Sequence, residues 1–118
     1  VADLPLAINL ATLAWKKNPD YGNGGLTSLM GTFEASRPGG SLTLAEKYFD
    51  QAIAQSKGQS AGPWLAKAEN IALKKQDRQA FTQWLNAAIQ ISQAHRNLEN
   101  EVMRERANWL LETVDDLF

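Results

Sequence analysis

Apolar positions recur along this chain at helical spacing. Leu6, Leu10, Leu13 and Ala14 fall at i, i+4, i+7 and i+8, one face of a helix predicted over 4–17. Asp3 is placed to cap it, and Pro5 is tolerated in its first turn. Asn18-Pro19 ends it, and Asp20 to Gly25 reads as a turn-rich loop. Leu26, Leu29, Met30 and Phe33 mark a second helix over 26–36. Gly31 inside it costs about 1 kcal/mol against Ala, so its presence predicts a close helix crossing. Arg37-Pro38-Gly39-Gly40 closes that helix.

A third helix is predicted over 43–56, with Thr43 and Glu46 as a capping box and Lys57-Gly58 as its stop. Pro63 opens a fourth over 63–75 at the favoured first position. Asp77 caps a fifth over 78–94, and Asn97 caps the last over 98–116. No Val/Ile/Thr-rich alternating stretch predicts a sheet.

Ala45-x3-Phe49-x2-Ala52 returns 35 residues later as Ala80-x3-Trp84-x2-Ala87. Small residues admit a neighbouring helix backbone, and the aromatic fills the groove between hairpins. A period near this value marks a tetratricopeptide-type helical repeat. Trp64, Ala68 and Ile71 supply the first helix of the better repeat, 61–94; a degenerate one covers about 26–58. The fold expected is all-α: a single domain, 1–118, of about six helices as tetratricopeptide-like antiparallel hairpins in a right-handed superhelical array. The closing helix has apolar residues on two sides. Met103, Ala107, Leu110, Leu111, Val114 and Phe118 form one stripe, while Leu98, Val102 and Trp109 lie nearly opposite. The second side is expected to be sandwiched in the domain or covered by another chain, a further part of this chain or a ligand.

Composition narrows function mainly by exclusion. Twelve basic and 13 acidic residues give a net charge of −1, which offers no attraction to nucleic acid or an anionic membrane. Lys74, Lys75 and Arg78 form the nearest approach to a basic cluster and read as a solvated loop. With no cysteine, thiolate metal sites and thiol nucleophiles are excluded within these 118 residues. The sole histidine, His95, reads as a helix C-terminal residue; neither a metal site nor an enzyme base is expected of it. Gly22-Asn23-Gly24-Gly25 lacks the strand and spacing of a phosphate-binding loop and reads as a turn. Asp115 and Asp116, adjacent on a helix, point in different directions and read as a solvated end. No catalytic residue, metal or cofactor is expected.

Phe49, Trp64 and Trp84 are accounted for by the repeat. Trp15, Tyr21 and Trp109 are not, and aromatics left over from packing are candidates for contact with a partner or apolar ligand. Arg37, beside Pro-Gly-Gly, is a candidate anchoring charge.

Three blocks carry a family resemblance. The first is Asn18-Pro19-Asp20-Tyr21-Gly22-Asn23-Gly24 leading to Leu29-x-Gly31. The second is Ser36-x-Pro38-Gly39-Gly40, then Ala45, Phe49, Ala52 and Ser56, then Ser60-Ala61-Gly62-Pro63 and Ala68-Glu69. The third is Arg106-Ala107-x-Trp109-Leu110-Leu111, ending in Asp115-Asp116-Leu117-Phe118. In this order the chain resembles the T component (TatT family) of tripartite ATP-independent periplasmic (TRAP) transporters. The resemblance implies a non-catalytic periplasmic lipoprotein, assembling as a homotrimer with the transporter's solute-binding subunit and holding or conducting a hydrophobic small molecule or lipid. It also implies a protein roughly twice this length, of which this is the C-terminal part. The rival expectation is an adaptor gripping a peptide in a concave groove. Lys67 and Asn70 would serve such a groove, but the earlier hairpin offers only Thr32 and Glu34, which argues against it.

Overall fold

The computed structural model describes residues 4–118, and among them it is all-helical, with seven α-helices and no strand. They are α1 (Leu4–Lys17), α2 (Gly25–Ser36), α3 (Leu42–Gln55), α4 (Gly62–Lys67), α5 (Arg78–Ala94), α6 (Leu98–Glu112) and α7 (Val114–Leu117). A 3₁₀ turn, Tyr21–Gly24, precedes α2, and a π-helical turn, Ala68–Ala72, extends α4. The expected cap at Asp3 lies outside the described residues.

Several local expectations hold for the reasons given. Asp77 caps α5 by accepting from the Ala80 N–H at 3.1 Å, and Asn97 caps α6 by accepting from Asn100 at 2.8 Å. Lys57 and Gly58 leave α3 with φ of 56° and 70°. Gly31 is a close crossing, since a Cβ there would stand 2.7 Å from the Phe49 ring of α3.

Others are corrected. The N-cap of α3 is Ser41, accepting from Leu44 N–H at 3.1 Å, so Thr43 lies within the helix. The fourth helix does not run evenly to 75. After Lys67 it widens, and Leu73 N–H reaches back five residues to Ala68 O at 3.1 Å. The last helix breaks at Thr113 (φ −103°, ψ 10°), whose hydroxyl bonds back to the Trp109 carbonyl at 3.0 Å. On α1, Leu6, Leu10 and Leu13 face outward, 58%, 58% and 62% exposed, while Ala11 is buried against the protein.

Helices pack in chain order from α1 to α6, and α2 and α6 also touch α4 across the row. Two cores result. Ala45, Phe49 and Ile71 form the first, with Ala35, Leu42 and Ala66 around it. The second gathers Leu65, Ala68, Ala72, Phe81, Leu85, Ala107 and Leu110. Trp84, half-buried, packs against both. On α3 the repeated triplet Ala45, Phe49, Ala52 is wholly buried; on α5 the wholly buried set is one residue later, Phe81, Leu85 and Ala88. That one-residue step turns the α5 contact face by about 100° and moves Trp84 from the centre of one core to the seam between two.

Candidate ligand groove and uncovered faces

Helices α2, α4 and α6 wall a groove of about 580 Å³. Its α2 wall presents Ser28 and, one turn on, Thr32, with Leu29 beside them. Its floor is α4 and the π-helical turn, with Ala66, Glu69 and Asn70; its far wall is α6, with Glu99, Met103 and Arg106. One end is lined by the turn at Gly22–Asn23 together with Gln59 and Ser60.

Two devices hold these walls. Gly24 takes φ 95°, and a Cβ on it would meet the Ala52 carbonyl oxygen at 2.6 Å, so only glycine lets the turn lie on the end of α3. Gln55 fastens the same turn by donating to Pro19 O at 2.9 Å and to Asp20 Oδ1 at 3.1 Å. At the same end Asn100, 1% exposed, accepts from Ala61 N–H at 3.0 Å and donates to Gln59 O at 2.9 Å and His95 O at 2.8 Å. One buried amide thus fixes the α3–α4 and α5–α6 connections to α6.

Arg106 crosses from α6 to Glu69, with its Nε 2.9 Å from Oε1 and its Nη2 bonding the same oxygen. That hydrogen bond, with the carboxylate charge, raises the Arg106 pKa. Asn70 donates to Ala66 O at 2.8 Å. Sequence reasoning offered Asn70 to such a groove, and Asn70 lines it; Thr32, which it counted against the groove, lines it too. Lys67 does not. It is buried on the opposite side of α4, 2.8 Å from Asp50 and 3.5 Å from Glu46, with its ammonium 4.5 Å from the Trp84 ring centre and 5.6 Å from that of Trp64. Glu34 is likewise elsewhere, buried at the α2–α3 connection. Glu69, Met103 and Arg106 were missed because only the packing of α4 on α6 brings them together. The Ala68-Glu69 and Arg106-Ala107 pairs within the family blocks were the available signal.

Trp15 sits on α1, Tyr21 on the 3₁₀ turn, Arg37 in the α2–α3 connection and Trp109 on α6, and none lines the groove. Trp15 donates from Nε1 to Thr27 Oγ1 at 2.9 Å and sets its ring edge-on to Tyr48 at 5.5 Å, tying α1 to α2 and α3. Thr27 passes the bond on to Pro19 O at 2.9 Å. Arg37 is engaged by Glu34, at 2.8 Å through Nε and 3.0 Å through Nη2, and Glu34 also accepts from Ser41 N–H at 2.8 Å. The Arg37 hydrogen bond lowers the Glu34 pKa against the opposing effect of burial, and the Ser41 N–H adds to it. Tyr21 and Trp109 remain at the surface, 65% and 55% exposed.

Two apolar faces are uncovered. One is Leu6, Leu10 and Leu13 on α1; the other is Leu98, Val102 and Trp109 on α6. The second is therefore not sandwiched within the domain. Its opposite stripe is: Ala107 and Leu110 are buried, with Met103, Leu111, Val114 and Phe118 packed beside them. Among the described residues no helix is long and apolar enough to cross a membrane.

Among curated proteins, the chain is 27% identical over 79 residues to the polyketide biosynthesis cytochrome P450 PksS of Bacillus subtilis (strain 168). The match covers 62% of this chain and about a fifth of that relative. No solved structure matches. A family match spans residues 1–118, the whole of the sequence, and its description is TAtT, TRAP transporter T-component. This chain belongs to the T-component family of TRAP transporters.

Proposed function

We propose that this chain is a non-catalytic accessory unit of a TRAP-type transporter, working by assembly with the periplasmic solute-binding subunit. Family membership over the whole chain supports the transport role. The observation that carries the assembly role is the pair of uncovered apolar faces on α1 and α6. Apolar side chains concentrated on the outer helices of a helix row are suited to being covered by other protein. In this reading the hairpins form a tetratricopeptide-like, right-handed array. The full protein is a periplasmic lipoprotein that forms a homotrimer, and helix faces from several hairpins handle hydrophobic or lipid-like ligands by buried apolar area. Tyr21 and Trp109 supply contact at the surface. Trp15 and Arg37 act by fixing α1 and the α2–α3 connection beneath it.

The test is titration calorimetry of the chain against the solute-binding subunit encoded with it, with and without bound solute. Saturable heat that changes with solute is the expected result. A folded chain that gives no heat with either form of the subunit contradicts the reading.

A further inference from the structure

The groove between α2, α4 and α6 has hydrogen-bonding capacity that the fold leaves unused. Both guanidinium bonds of Arg106 go to one oxygen of Glu69. Among the described residues, Glu69 Oε2, Arg106 Nη1, the Asn70 side-chain oxygen and the Ser28 hydroxyl make no hydrogen bond to protein, and those of Glu69, Asn70 and Ser28 are open to water. Donors and acceptors therefore stand along the floor and on both walls, α2 on one side and α6 on the other. Between them lie Leu29, 41% exposed, and Met103, half-buried.

We infer that this groove binds an extended peptide segment of a protein partner through its main chain. A peptide main chain offers N–H and C=O groups in alternation along both edges, which suits a site bearing donors and acceptors on facing walls. Leu29 and Met103 accommodate a small apolar side chain of the segment. The volume is in the range of ligand sites, about 300–1,000 Å³. An acyl chain fits poorly, because it would bury Glu69, Arg106 and Asn70 without giving them partners. A phosphate or other strong anion also fits poorly. Arg106 is the single cation of the lining, and Glu69 neutralises it with Glu99 nearby. The π-helical turn is part of the site, since it places Glu69 and Asn70 on the floor.

The inference goes beyond the accessory-subunit reading, and the two fail separately. Calorimetry with the solute-binding subunit tests assembly; the groove is tested on the chain alone. A random heptapeptide library displayed on phage is panned on the intact chain. Enriched peptides are then titrated while backbone amide signals are followed, with palmitate as the lipid probe. The expected result is a family of related peptides that shift the amides of Ser28, Leu29, Asn70 and Met103. Ser28→Trp, which fills the groove, should abolish binding. Asn70→Ala, which deletes the free acceptor, should weaken it about fivefold to tenfold. Both substitutions are at incompletely buried positions, and Asn70→Ala decides the matter if Ser28→Trp does not fold. No enrichment above an unrelated bait, or shifts elsewhere that Asn70→Ala leaves unchanged, overturns the inference. So does palmitate shifting the groove amides where peptides do not.

Discussion

Helix α1 turns Leu6, Leu10 and Leu13 outward and holds on through Ala11 and Trp15, whereas α6 turns its larger apolar side, with Ala107 and Leu110, inward. Both helices carry apolar residues on opposite sides, so periodicity does not choose between the sides. The neighbour does. Beside α2, a buried alanine permits close approach and the Trp15 N–H finds the otherwise buried Thr27 hydroxyl. Turned by half a revolution, α1 would expose an indole and leave Thr27 with one fewer partner. On α6 the inward side meets a ready core of Leu65, Ala68, Phe81 and Leu85, and Asn100 locks the rotation. The helix with the large contact is fixed by burial, and the helix with the small contact is fixed by a hydrogen bond and a ring edge.

Substitutions can break this contrast in order of size. Leu110→Ala should cost most, about 2–5 kcal/mol, because it empties a 4%-exposed site in the larger core. Chemical denaturation reads this as a lower midpoint. Asn100→Ala should cost about 2–3 kcal/mol, since a buried N–H and two carbonyls lose their partner together. Hydrogen exchange at Ala61 should speed up with it. Trp15→Phe keeps the ring and removes one hydrogen bond, for about 1 kcal/mol. Its effect should be confined to the attachment of α1, seen as faster exchange there with little change elsewhere. Leu10→Gln, on the outward stripe, should leave stability within about 0.5 kcal/mol. A large loss there would mean that the outward side of α1 is buried in solution.

Acid separates the two connections in the same spirit. Glu34 and Asn100 each pin a connection between helices, but only Glu34 titrates. Its folded-state pKa is lowered, chiefly by the Arg37 hydrogen bond. The stability it contributes is therefore full above the ordinary carboxylate value, about 4.3, and is lost as pH falls through the lowered folded value. Exchange at Ser41, whose N–H bonds Glu34, should accelerate over that acid range. Glu34→Gln should remove this dependence, while Ala61, held by Asn100, keeps its own behaviour.

The sequence was most legible where a single residue type has one physical use. Asp77 as a cap, Gly31 as a crossing and Lys57-Gly58 as a stop were all visible, and α5 occupies the span its pattern predicted. The expectation of helices alone also held among the described residues. The π-helical turn and the break at Thr113 were hidden, because Ala, Glu, Asn and Thr there fit an ordinary helix and only packing decides otherwise. Ser41 took the cap from Thr43 because both are good caps two residues apart. The groove was half visible. Asn70 was named for it, but Lys67, named with it, went to a cage of Asp50, Glu46 and two tryptophans. A lysine three residues from an indole and one turn from an asparagine can point either way; only the position of α3 shows which.

The central claim is that the uncovered faces of α1 and α6 are assembly surfaces of a transporter accessory unit. Hydrogen–deuterium exchange of the chain with and without its solute-binding subunit tests it most directly. The account predicts added protection on α1 or α6, lost when the apolar side chains of the protected face are replaced by glutamine. Binding that protects neither helix would contradict it.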